Sequence, residues 1–111
     1  MGAMPMNDDL KILLERIRGL FKLQYRTRYW VMLVDDHFDK TYNFFFHYQR
    51  KQQRERSIPL HAVKTYNLEY LEKLIADLRS VYHFNITYVG FEDEYWPSTH
   101  RLIQRRRLWD E

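Results

Sequence analysis

The chain of 111 residues has no cysteine, only three glycines and three prolines, and no long apolar run. The missing cysteine excludes a disulfide framework, thiolate zinc and iron–sulfur sites, and a cysteine nucleophile, and it fits an intracellular compartment, cytoplasmic or nuclear. Gly2, Gly19 and Gly90 are too sparse for a phosphate-cradling loop. No P-loop, dinucleotide fingerprint or Gly-x-Ser-x-Gly elbow occurs, so nucleotide-driven catalysis is disfavoured and no cofactor is expected. The longest uninterrupted apolar stretch, Tyr29 to Val34, is far short of the roughly 20 residues of a membrane helix, so no membrane partner is expected. His37, His47, His61, His83 and His100 show no zinc-site spacing.

Aromatic residues are plentiful: nine Tyr, seven Phe and three Trp, within a chain that is 45% hydrophobic. That composition belongs to a folded domain, and the length allows one. Residues 1–6 carry three methionines and no charge and read as a vector-derived or disordered extension, leaving residues 7–111 as a single domain.

Leu10, Leu13, Leu14, Ile17, Leu20 and Phe21 recur at helical spacing behind a candidate N-cap, Asn7, which predicts a helix from about Asp8 to Lys22. Arg28 to Val34 reads as a strand apolar on both faces, so cover is expected on both sides. The polar segment Asp35 to Lys40 suits a hairpin turn, and Thr41 to Tyr48 follows as a second strand with Tyr42, Phe44, Phe46 and Tyr48 on one face. Gln49 to Ser57 has no apolar residue and reads as a projecting loop. Ile58 to Val63 alternates Ile58, Leu60 and Ala62 as a short strand, with Pro59 favouring an edge. Asn67 caps a second predicted helix bearing Leu68, Leu71, Leu74, Ile75 and Leu78; Phe84 to Val89 returns to strand and stops at Gly90. A last helix is expected from Ser98 behind Pro97. The order α-β-β-(β)-α-β-α predicts an α+β two-layer sandwich, a mainly antiparallel sheet of three or four strands with helices on one face.

The formal charge of +3 is unevenly distributed. Arg50, Lys51, Arg54 and Arg56 against Glu55 contribute +3, and Arg101, Arg105, Arg106 and Arg107 contribute +4, which leaves −4 on the remainder. Arginine forks onto phosphate and stacks on flat rings, so these patches, with Tyr48 and Trp109 beside them, are candidate nucleic-acid contacts. The bland reading is a solvated hairpin loop and the exposed face of a helix. No RNP1 pattern, GXXG loop or helix-turn-helix is present.

A second cluster depends on strand order. Asp35, Asp36, His37 and Asp39 follow the first strand, and Glu92, Asp93 and Glu94 follow the last. Parallel, adjacent strands would bring both groups to one end of the sheet, where carboxylate oxygens could hold Mg²⁺; Asp36, Asp39 and Glu92 are then the first-choice ligands and His37 a general base. Turn chemistry alone also accounts for the first acidic segment.

Three functions compete. The leading one is a small non-catalytic domain that binds DNA or RNA, or serves a nucleic-acid complex, through the two Arg-rich patches. A protein-interaction module or small regulator, with a protein partner or as a homodimer through an aromatic and Arg surface, is the alternative. A Mg²⁺-dependent nuclease is the third.

Overall fold

The computed structural model describes residues 7–20 and 27–104. Helix α1 spans Asp8–Leu20, strand β1 Thr27–Asp36, β2 Thr41–Arg50, β3 Arg56–Val63, helix α2 Leu68–Val81 and β4 Ile86–Val89. The four strands form one sheet in the order β3-β2-β1-β4, with β1–β2 and β2–β3 antiparallel and β1–β4 parallel. The fold is α+β, with the helices packed on the sheet.

Both helix starts follow from their asparagines. Asn7 Oδ1 accepts from the backbone N–H of Asp9 and Leu10 at 2.8 and 3.2 Å, and Asn67 Oδ1 accepts from that of Tyr70 at 3.0 Å. Each satisfies amide donors that the first turn leaves without a partner. Leu10, Leu13 and Ile17 of α1 and Leu71, Leu74, Ile75 and Leu78 of α2 are buried against one face of the sheet. That face presents Val31 and Leu33 of β1, Tyr42, Phe44 and Phe46 of β2, and Leu60 and Val63 of β3. Most of the aromatic excess in β2 is therefore core.

The alternating row is different. Trp30, Met32 and Val34 of β1 and Phe45 of β2 point away from the helices and remain half-exposed. Cover on both faces of β1, expected from its continuous apolar run, is not found among the described residues: the helical layer lies on one side only.

Other boundaries moved for local reasons. β1 runs on through Asp35 and Asp36, leaving residues 37–40 as the turn. β2 and β3 extend into the polar segment, and the loop shrinks to 51–55, because a hairpin rung needs backbone partners rather than apolar side chains. Pro59 does sit on an edge strand, but the register shifts opposite Phe44 and Phe45, so Leu60 and Val63 turn inward and Ala62 turns out. The expected helix from Ser98 is absent from the described residues 98–104. Instead the chain doubles back: Trp96 N–H donates to Arg101 O, Ile103 N–H donates to Glu94 O, and Tyr95 bridges Leu102. His100 at φ 59° closes the reversal, and Ser98 ties it to α2 through both Glu72 oxygens.

Candidate functional site

Because β1 and β4 are parallel neighbours, the segments leaving them emerge at the same end of the sheet. In open sheets with parallel strands this carboxyl end is where ligand crevices form. Three side chains meet here: Asp35 from the last turn of the β1 pleat, His37 from the β1–β2 turn, and Glu94 from the segment after β4. Their ligating atoms all lie within 4.8 Å of one another. Asp35 is 3% exposed, sharing the inward face with Val31 and Leu33, and Tyr42, opposite it on β2, stacks on Tyr66 and Phe91 around it.

Two hydrogen bonds hold the His37 ring. The Tyr66 hydroxyl has one proton, which it donates to Asp35 Oδ1 at 2.5 Å. At its 3.2 Å contact with His37 Nδ1 it must therefore accept, and Nδ1 carries a hydrogen. His37 Nε2 lies 2.6 Å from the Gly90 carbonyl, an acceptor, so Nε2 carries one too. Both contacts are made at once when the ring is an imidazolium. Its affinity for protons is raised above the ordinary 6.5 chiefly by the Gly90 bond; burial opposes this, and the charges of Asp35, Glu94 and Glu92 add to it.

Nε2 is also 3.7 Å from Asp35 Oδ2 and 3.9 Å from Glu94 Oε2, too far to donate to either. Both oxygens are buried and receive no hydrogen bond from a described residue. Burial first, then the hydrogen bond and charge of Asp35, push the Glu94 carboxyl up to about 7, with the His37 charge acting the other way. A proton on Glu94 lets the two carboxyls bond to each other; without it their oxygens face each other unsatisfied.

This has a consequence for stability. A carboxyl whose proton is held more tightly in the folded chain than in the unfolded one, near 4.5, favours folding while protonated, and the advantage is lost as pH rises from about 4.5 through 7. His37, also raised, acts in the same direction above 6.5. Glu94→Gln, which cannot ionise, is expected to match the parent chain in urea denaturation at pH 5 and to exceed it at pH 8. Equal pH profiles for the two proteins would contradict the arrangement.

The ligands first expected were Asp36, Asp39 and Glu92, and the structure places them elsewhere. Asp36 Oδ1 accepts from the N–H of Phe38 and Asp39 and so shapes the turn; Asp39 and Glu92 are exposed. Asp35 and Glu94 take the central positions with His37. Period-two counting from Val31 and Leu33 would have singled out Asp35, whereas nothing local marks Tyr66, which arrives from the β3–α2 connection.

The opposite end of the sheet is basic. Arg50 closes β2, Lys51 and Arg54 lie in the turn, and Arg56 opens β3; all four are exposed. Arg28, not singled out by sequence, joins them: a groove of about 500 Å³ is lined by Arg28, Gln49, Arg50 and Lys51 among others. The Arg28 guanidinium lies 5.7 Å from the Trp30 ring centre, and Trp30 is 5.3 Å from the His47 ring. His47 is held between Glu55, at 2.9 Å, and Ser57, at 3.3 Å. Tyr48 is half-buried on the helix-covered face against Phe46. Arg101 is exposed in the reversal after β4, away from the hairpin, and Arg105, Arg106, Arg107 and Trp109 lie outside the described residues.

No protein-family model, curated protein sequence or solved structure matches the chain.

Proposed function

We propose that the protein is a non-catalytic nucleic-acid-binding domain that takes single-stranded DNA or RNA across the basic end and open face of its sheet. The observation that carries this reading is the juxtaposition of Arg28, Trp30, Arg50 and Lys51: cations that neutralise phosphates next to a half-exposed ring on which an unpaired base can stack. Arg54 and Arg56 extend the cationic edge, and Arg101, Arg105, Arg106 and Arg107 make a second Arg-rich stretch in the sequence. Phe45 offers a further ring on the open face. Single strands are favoured over duplex because a flat sheet face meets unstacked bases, whereas base pairs bury theirs.

The nuclease alternative is weakened by distance. Arg28 and Asp35 are seven residues apart on β1, roughly 23 Å at about 3.3 Å per residue, so the hairpin cations that carry this reading lie at the other end of β1 from the carboxylates.

The test is fluorescence anisotropy with labelled single-stranded and duplex oligonucleotides at several salt concentrations. Single strands are expected to bind best, with affinity falling as salt rises. Trp30→Ala is expected to remove about 1–3 kcal/mol, a 5- to 150-fold loss, with the salt slope retained. Absent or salt-independent binding would defeat the proposal. The apolar row of Met32, Val34 and Phe45 supports a second reading, a homodimer joined through this face, and concentration-dependent sedimentation would favour it.

A further inference from the structure

We infer that Asp35, His37 and Glu94 form a binding site for one divalent transition-metal ion, of the Mn²⁺ or Zn²⁺ kind that accepts mixed nitrogen and oxygen ligands. This rests on the acidic end of the sheet and is independent of the nucleic-acid reading.

The argument begins with Asp35. Its side chain is fully shielded from solvent, yet Oδ2 receives no hydrogen bond from a described residue and faces the point where His37 Nε2 and Glu94 Oε2 converge. A buried carboxylate oxygen without a donor is costly, and a cation removes that cost. Glu94 Oε2 is in the same condition on the other side of the same point. A single cation at that point would satisfy both oxygens at once, in place of a proton shared between the two carboxyls.

The spacing suits such an ion. Two ligand atoms bound at about 2.1 Å and at a tetrahedral angle lie about 3.4 Å apart. The separations of 3.7 and 3.9 Å from His37 Nε2 exceed this by a few tenths of an ångström, within reach of side-chain rotation. His37 is largely exposed, which gives its ring room to move and leaves the outer side of the ion open to water or another ligand.

The surroundings orient the ligands as metal sites require. Metal-binding imidazoles usually donate their second N–H to an oxygen that fixes the ring. Here Nδ1–H meets the Tyr66 hydroxyl, which in turn donates to Asp35, so one chain of hydrogen bonds joins two ligands, while Nε2, 2.6 Å from the Gly90 carbonyl, turns from that oxygen to reach the ion. The ion takes the place of the Nε2 proton. One nitrogen and two carboxylates favour Mn²⁺ or Zn²⁺ over Mg²⁺, which prefers all-oxygen octahedral shells.

The full chain is titrated calorimetrically with MnCl₂, ZnCl₂ and MgCl₂ at pH 7.5. One equivalent of Mn²⁺ or Zn²⁺ is expected, bound at least tenfold more tightly than Mg²⁺. Glu94→Gln and His37→Gln should each weaken uptake tenfold or more. Tyr66→Phe, which removes no ligand, should weaken it while keeping one equivalent. Substoichiometric Mn²⁺ should broaden the amide resonances of His37, Gly90 and Glu94 before those of Trp30 and Lys51, a readout that needs no substitution. No stoichiometric uptake at millimolar ion, Mg²⁺ bound as tightly as Mn²⁺, or unaltered uptake by the folded variants would overturn the site. So would broadening centred on either other histidine–carboxylate pair, His61 with Asp9 or His47 with Glu55.

Discussion

Alanine at Arg50, Lys51, Arg54 and Arg56 together is expected to lower affinity for a single-stranded oligonucleotide by about 10²–10³-fold at 50 mM salt. Each cation that meets a phosphate of a single strand contributes about 0.7 to the slope of log affinity against log salt, so four lost contacts flatten it by about 3. The difference should shrink as salt rises and nearly vanish near 1 M, where counterion release no longer drives binding. All four side chains are exposed, so folding stability should change by no more than about 0.5 kcal/mol per site. Trp30→Ala should behave in the opposite manner, losing affinity at every salt concentration. Parallel salt plots for the quadruple variant and the parent would show that the hairpin does not touch phosphate.

Gly90→Ala should destabilise the domain by about 2–4 kcal/mol, lowering its melting temperature by roughly 10–20 °C. Gly90 has φ 84°, a conformation that a Cβ opposes, and an added Cβ would lie 2.6 Å from the Asp35 carbonyl oxygen. That contact is with backbone and has no flexible end to yield. The same residue's carbonyl receives His37 Nε2–H, so moving Gly90 also loosens the link between the β1–β2 turn and the exit of β4. His37→Gln should then cost less in the Gly90→Ala background than in the parent, because part of its contact is already lost. A melting temperature within a few degrees of the parent would refute this account of the exit from β4.

The helices and most strands were legible because their evidence is local: Leu10, Leu13 and Ile17 at helical spacing behind Asn7, Leu71 to Leu78 behind Asn67, and Tyr42, Phe44 and Phe46 at period two. The continuous run in β1 hid its own sidedness, since Trp30, Met32 and Val34 are as apolar as the residues that face the helices. The helix expected at Ser98 failed because Leu102 and Ile103 mimic helical spacing while hydrogen bonds back to Glu94 and Trp96 decide the conformation. The meeting of the two acidic segments was visible only as a condition on strand order. Which carboxylates point inward depended on the pleat and on Tyr66, and Tyr66 comes from a connection with no periodic pattern of its own.

With Arg28, Arg50 and Lys51 at one end of β1 and Asp35, Asp36 and Glu94 at the other, these side chains give the described part of the sheet an electric moment along β1. A polyanion exerts a torque on such a body as well as a pull, turning it hairpin-first before any side chain touches a phosphate. On the proposed reading, a strand approached to within a Debye length of about 8 Å at physiological salt would meet the hairpin with the carboxylates turned away from its phosphates. A cation held by Asp35, His37 and Glu94 would therefore stay out of the counterion cloud that the nucleic acid gathers, and the two ends would not compete for the same charge.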